Sequence, residues 1–307
     1  MKDFIEIADF SPDQLRELLD RAIADKRRFL ADELPAACPR KVLALIFEKP
    51  SLRTRVSFES AIIQLGGSAI YLTDKDIGLG KREPVADVAR VLGRMCDAIA
   101  ARTFSHESVV ELAGCAAIPV INALTDFSHP CQAMADLMTF LELRGDPAGA
   151  TVAFVGDGNN VARSLAVLCA KLGANFVLAC PAGYELEAEF VRKVESVRPG
   201  SFRLTHEPRQ AVADAAVVYT DTWVSMGQED DRPRRLRDFE GFQINEALLA
   251  AAPKGTLVMH CLPAYRGLEI TDAVMAAHAE TIFAQAANRL HFQRALVNVL
   301  VAEGGIA

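Results

Sequence analysis

The stretch Val42-Leu-Ala-Leu-Ile-Phe-Glu-Lys-Pro-Ser-Leu-Arg-Thr-Arg-Val-Ser-Phe-Glu59 changes character half-way along. Val42 to Phe47 is an apolar run that reads as a buried strand, Pro50 breaks it, Ser51 is placed to cap a helix, and Arg53 to Leu65 carries apolar residues at helical spacing. A strand that runs through a short polar turn into a helix is the unit of parallel α/β sheets. The same turn crowds Ser51, Arg53, Thr54 and Arg55 together. Free backbone N–H groups and the positive dipole end of the helix face an anion there, and two guanidiniums add charge and forked donors. Cations in a first turn oppose the dipole and want a compensating anion, so the turn reads as a phosphate site. A capped helix with a solvated basic first turn is the alternative this stretch leaves open.

Outward from it, strand and helix patterns alternate. An amphipathic helix runs from the Ser-Pro-Asp after Phe10 to about Phe29. Beyond the Arg53 helix come Ser68 to Leu72, a helix over Val85 to Met95, Ala98 to Arg102, and a helix over Gln132 to Leu143. Arg144-Gly-Asp-Pro-Ala-Gly149 is a turn cluster and the expected domain boundary. A second series follows: strand Thr151 to Val155, helix Val161 to Leu172, strand Asn175 to Cys180, a helix near Glu185 to Val197, and strands Ala216 to Thr220 and Leu257 to His260. The fold class expected is α/β with two doubly wound parallel sheets.

With 307 residues, 51% of them apolar, the chain can bury large cores, and a net charge of −7 disfavours nucleic acid as a partner. Its start, Met-Lys-Asp-Phe-Ile-Glu, lacks a leader-like apolar run and no apolar stretch reaches membrane-spanning length, so a cytoplasmic protein without a membrane partner is expected. Seven scattered cysteines, never in Cys-x-x-Cys spacing, argue against a disulfide framework and a zinc cluster, and no metal is expected. Gly156-Asp-Gly-Asn-Asn-Val161 follows a strand and opens a helix like a dinucleotide fingerprint. Val161 stands at the third glycine position, however, and the next strand ends at Cys180-Pro181 without an acidic ribose ligand. No cofactor is expected.

Three more segments carry chemistry: His129-Pro-Cys-Gln132 at an element start, Asp221-Thr-Trp-Val-Ser-Met-Gly227 after a strand, and His260-Cys-Leu-Pro263 at a strand end. With Ser51-Leu-Arg-Thr-Arg55 and Asn288-Arg-Leu-His291 they stand in one order across nearly the whole chain, and together they resemble the ornithine carbamoyltransferases of the aspartate/ornithine carbamoyltransferase superfamily. The resemblance implies a carbamoyl-phosphate domain over 1–143, completed by a C-terminal helix over 289–307 that returns to it, and an ornithine domain over 150–288. It implies transfer of the carbamoyl group of carbamoyl phosphate to the δ-amine of L-ornithine, giving L-citrulline in arginine metabolism.

Residue by residue, the resemblance assigns the phosphate to Ser51, Leu52, Arg53, Thr54 and Arg102. The carbonyl oxygen falls to Thr54, Arg102 and His129, and the carbamoyl nitrogen to Gln132 and the backbone carbonyls of Cys261 and Leu262, with Arg289 completing the clamp. Asp221 and Ser225 are assigned to the α-amino group of ornithine, Asn160 to its α end, and Met226 to a closing loop. Arg102, His129, Asp221 and Cys261 are the catalytic candidates, with Cys261 ranked as positioning rather than nucleophilic. Read alone, His129 fits a capping or core histidine and Asp221 a helix cap.

The chain departs from the family pattern where Asp76-Ile-Gly-Leu-Gly-Lys-Arg-Glu-Pro84 places Gly78 at a position that usually holds glutamine or histidine reaching into a neighbouring subunit. Lys81 is the expected substitute, and the shared loop implies a homotrimer or a multiple of one. Sibling transferases acting on acylated ornithines, putrescine or aspartate, a ligand sensor on the same fold, and a nicotinamide-dependent oxidoreductase are the competing readings.

Overall fold

Helix α1 (Pro12–Leu30) is entered through a Ser11 cap, and the apolar run at 42–47 then forms strand β1 (Val42–Phe47), buried from Leu43 onward. Ser51 caps helix α2 (Leu52–Gln64) with its own side chain. There follow β2 (Ser68–Thr73), the one-turn α3 (Asp74–Ile77), α4 (Val85–Met95), β3 (Ala98–Arg102), α5 (His106–Cys115) and β4 (Val120–Leu124). The strands pair in parallel in the order β2-β1-β3-β4. Winding therefore reverses between β1 and β3, and beyond their carboxyl ends lies the crevice where such sheets bind ligands. Glu48 to Ser51 and Arg102 emerge there. The protein is described by a computed structural model covering residues 1–307 apart from Pro199, Met226 and Ala307.

The chain forms two compact units, 1–138 with 287–307 and 139–286. Both changes of unit fall inside helices, α6 (Pro130–Arg144) and the last long helix, Ala279–Val297. The second unit continues with β5 (Thr151–Val155), α7 (Asn160–Lys171), β6 (Asn175–Ala179), α8 (Ala188–Val197), β7 (Phe202–Thr205), α9 (Pro208–Val212), β8 (Val217–Thr220), α10 (Arg232–Asp238), α11 (Glu246–Leu249), β9 (Leu257–His260), α12 (Asp272–Ala277) and α13 (Ala279–Val297). Its sheet is parallel throughout, in the order β7-β6-β5-β8-β9. The reversal here lies between β5 and β8, whose carboxyl ends carry the Gly156 turn and Asp221. One face of this sheet packs Val155, Val177, Val218 and Val258 against Trp223, Phe239 and Ile244.

Strands β4 and β7 escape the sequence reading. Strand β7 is an edge strand whose two middle residues are exposed, so no apolar run marks it. The last helix returns to the first unit as expected. In it Asn288 accepts from Lys26 Nζ at 2.8 Å, Arg294 donates to Gln64 Oε1 at 2.7 Å and to the Asp25 carbonyl, and the Phe292 ring packs 5.8 Å from Phe4. Among the described residues no helix is long and apolar enough to cross a membrane.

Candidate active site

In the first unit the site is built from the start of α2. Ser51 Oγ accepts from the Thr54 N–H at 3.3 Å and lies 3.0 Å from Thr54 Oγ1. Thr54 is fully buried, and its hydroxyl oxygen accepts from Arg289 Nη2 at 2.8 Å. A guanidinium has only donors, so this bond leaves the threonine O–H free to donate outward. Arg102 is buried at the end of β3, beside a break in register between Ala101 and Arg102.

His129 is buried at the start of α6. Burial, then the charges of Arg289, Arg102 and Arg53, hold its imidazole well below the ordinary 6.5, so it stays neutral near pH 7 and keeps one N–H to donate. One turn later Gln132 is fully buried, with Nε2 donating to Asp136 Oδ1 at 2.8 Å. Its Oε1 is buried and accepts from no group among the described residues. Leu52 is 75% exposed, so only its backbone faces the helix start.

Arg55 does not join this set. One step of about 100° round the helix beyond Thr54 carries it outward, where it pairs with Glu59 at 2.9 Å and lies over the Tyr71 ring at 3.8 Å. Lys49 does stand beside the set, although the sequence reading passed over it. It is buried, its Nζ lies 4.2 Å from the Phe104 ring centroid, and burial followed by the Arg102 charge lowers its pKa. Its place within Glu48-Lys-Pro-Ser51 was the available signal.

In the second unit, Asp221 follows β8 and Cys261 follows β9. Asp221 Oδ1 accepts from the Thr222 N–H at 2.7 Å and from the Cys261 thiol at 3.0 Å, and Oδ2 accepts from Asn159 Nδ2 at 2.8 Å. Asn160 is the half-buried first residue of α7. Ser225 is half-buried, its N–H bonded to Gln228 Oε1 at 3.1 Å. Met226 lies outside the described residues. Leu262 has a left-handed backbone, φ 59°, and its N–H donates to His260 Nδ1 at 2.8 Å. Asp221, His260 and Cys261 bring ligand-type atoms within 4.8 Å of one another, but both imidazole nitrogens are engaged, with Leu262 N and with Glu269 Oε1 at 3.1 Å.

The glycine turn is a matter of close approach. A Cβ on Gly158 would stand 2.7 Å from the Tyr184 carbonyl oxygen and 2.8 Å from two further backbone atoms. Asp157, within the turn, binds Arg235 at 2.8 Å, which also donates to the Trp223 carbonyl at 2.9 Å. The turn is thereby tied to the loop after Asp221.

Comparison with known proteins matches residues 2–142 to the aspartate/ornithine carbamoyltransferase carbamoyl-P binding domain, and residues 148–300 to the Asp/Orn binding domain of the same enzymes. The chain belongs to the aspartate/ornithine carbamoyltransferase family. It is 47% identical to ornithine carbamoyltransferase of Anoxybacillus flavithermus over 299 residues, 96% of this chain and 95% of that one. It is also 47% identical to the enzyme of that name from Methanosarcina mazei, over 96% of this chain and 98% of the relative. Among solved structures, ornithine carbamoyltransferase from Pyrococcus furiosus superposes with a TM-score of 0.94 at 45% identity, covering 99% and 97% of the two chains. For this family member, then, two matched domains coincide with two sheets, each carrying its polar cluster beyond the carboxyl ends of the strands where winding reverses.

Proposed function

We propose that this protein transfers the carbamoyl group of carbamoyl phosphate to the δ-amine of L-ornithine, yielding L-citrulline and phosphate as a step of arginine metabolism. The observation that carries the reading is the convergence of Arg53, Arg102 and Arg289 on His129 beside the Ser51–Thr54 helix start. Three cations that depress a buried imidazole form a field made for an anion, and the relatives' names supply which one.

The phosphate oxygens take the α2 N–H groups, Ser51, Arg53 and Arg102. The carbonyl oxygen takes the Thr54 hydroxyl, Arg102 and the neutral His129 N–H, and the open Gln132 Oε1 accepts from the carbamoyl nitrogen. The neutral δ-amine attacks the carbonyl carbon. A C–N bond forms while electron density moves onto the oxygen, where each positioned donor is worth about 3–4 kcal/mol in other enzymes. The C–O bond then breaks, phosphate departs with the electron pair, and the amine proton is released. Cys261 holds Asp221 and forms no covalent intermediate.

Asp221 receives the α-ammonium, aided by Ser225, with Asn160 at the α-carboxylate end. An acylated ornithine would leave Asp221 facing an amide, and aspartate would bring a second carboxylate to an anionic group. We further infer that the protein works in the cytoplasm as a homotrimer or a multiple of one. Support comes from α2, where Leu52, Val56 and Ile63 are 75%, 50% and 60% exposed on one helical face, beside Ile70 on the edge strand β2. Lys81, 73% exposed and 3.9 Å from Asp74, would then reach a neighbouring subunit.

The test is phosphate and ureido-product release from carbamoyl phosphate with L-ornithine, N-acetylornithine, N-succinylornithine, putrescine and L-aspartate. Citrulline formation selective for ornithine supports the reading. Turnover confined to another amine reassigns the substrate, and none with any amine overturns the reading.

A further inference from the structure

Asn159 stands next to the residue that sequence motifs single out, and its one carboxamide does two things at once. Its Oδ1 accepts from the N–H groups of Val161 and Ala162, at 3.0 and 3.1 Å, capping α7. Its Nδ2 donates to Asp221 Oδ2 at 2.8 Å. The amide has no freedom to flip, because exchanging oxygen and nitrogen would set donors against two N–H groups and an acceptor against a carboxylate.

The remaining bonds to Asp221 come from elsewhere: Thr222 N and Cys261 Sγ both reach Oδ1. Asn159 alone, among the bonds described for Asp221, holds Oδ2, and so it sets the rotation of the carboxylate about its Cβ–Cγ axis. We propose that Asn159 is a positioning residue for the amino-acid substrate, orienting Asp221 toward the α-ammonium while anchoring the helix whose first residue is Asn160. The inference rests on the proposed reaction, in which Asp221 contacts ornithine.

The two duties separate by substitution. Asn159→Ser and Asn159→Asp keep an oxygen able to cap the helix, but serine is too short to reach Asp221 and aspartate offers it no N–H. Asn159→Ala removes both bonds. Citrulline formation by the unaltered protein is measured first, and its absence overturns the proposed function and this inference with it.

Given activity, the Ser variant is expected to melt near the parent temperature while KM for ornithine rises roughly tenfold or more, in keeping with the penalties for misplaced binding groups. The Asp variant, which sets a second carboxylate against buried Asp221, should show the same KM rise with some loss of stability. KM for carbamoyl phosphate should stay within about twofold. The Ala variant should share the ornithine effect and melt lower as well. Parent-like ornithine kinetics in the Ser variant would reduce Asn159 to a helix cap, and equal losses for both substrates would mark a general collapse of the second unit. Either result overturns the proposal.

Discussion

Arg289 Nη2 donates to Thr54 Oγ1 at 2.8 Å across 235 residues of sequence, joining the last long helix to the first turn of α2. Both partners are buried, and Arg289 also adds its charge to the field on His129. One guanidinium therefore engages the hydroxyl oxygen of Thr54 and adds charge to the proposed anion site; alanine removes both effects, lysine only the forked donor. Hydrogen bonds to charged groups contribute about 1.5–3 kcal/mol, or one to two decades of affinity. Arg289→Ala is expected to raise KM for carbamoyl phosphate by about tenfold to a hundredfold at saturating ornithine. Arg289→Lys, which keeps charge without the fork, should recover part of that. An unchanged KM in the Ala variant would remove Arg289 from the site.

The acid stability of the protein should follow two histidines of the first unit. Burial, then cationic neighbours, depress both imidazoles, His129 well below 6.5 and His291 to about 4. Across the interval below 6.5 the unfolded chain binds more protons than the folded one, so their contribution is complete above about 6.5 and is lost as pH falls. For His291 the window runs from 6.5 to about 4. The urea midpoint should drop through that range. His291→Asn, which keeps an acceptor where Nδ1 lies 3.2 Å from Arg294 Nη2, should flatten the slope. Parallel slopes in the two proteins would count against it.

How far the sequence carries depends on the kind of signal. The strand-turn-helix at 42–64 is legible because an apolar run, a proline and a serine cap act locally, and the resemblance supplies the clustering of His129 with Arg102 and Arg289. Arg55 misleads because helical rotation decides which of two neighbouring arginines acts on His129 and which turns outward to Glu59 and Tyr71. Asn159 is illegible for a different reason. Of two consecutive asparagines, only the path of the chain decides which one reaches Asp221, and that path depends on β8 lying beside β5. The edge strand β7, with exposed middle residues, lacks the burial that writes a strand into sequence.

Gly158→Ala tests what the glycine turn is for. Its Cβ would meet three backbone atoms at 2.7 to 2.8 Å, none the far end of a flexible side chain, so the turn must shift. Overpacking of this kind costs typically about 1–3 kcal/mol. The expected outcome is that loss in urea unfolding together with a raised KM for ornithine, because Asn159 moves with the turn. A nucleotide-binding role predicts a different loss, which titration with NADH on the parent would expose.

Cys131 lies inside the His-Pro-Cys-Gln motif but is fully buried, bonds to the Asn122 carbonyl at 3.5 Å, and has its thiol pushed up to about 12, first by burial. Nucleophilic thiols need the thiolate. Iodoacetamide on the folded protein at mildly alkaline pH should therefore leave Cys131 unlabelled by peptide mass spectrometry. Rapid labelling would reopen a chemical role.

Gly78 and Lys81 form the last test, because there the sequence reading expects a departure from the family pattern. Gly78 has φ 60°, and a Cβ on it would lie 2.8 Å from Arg82 Cβ, so restoring a long side chain at this position costs backbone strain as well as space. Gly78→Gln is expected to destabilise the loop by about 1–2 kcal/mol and to add no activity. Lys81 carries no comparable constraint, being exposed and paired with the half-exposed Asp74 at 3.9 Å. If it serves a neighbouring subunit's phosphate, Lys81→Ala raises KM for carbamoyl phosphate several-fold while the oligomer and its melting temperature hold. The effect should shrink as added salt screens an exposed charge. An unchanged KM would assign the loop to ordinary solvated structure.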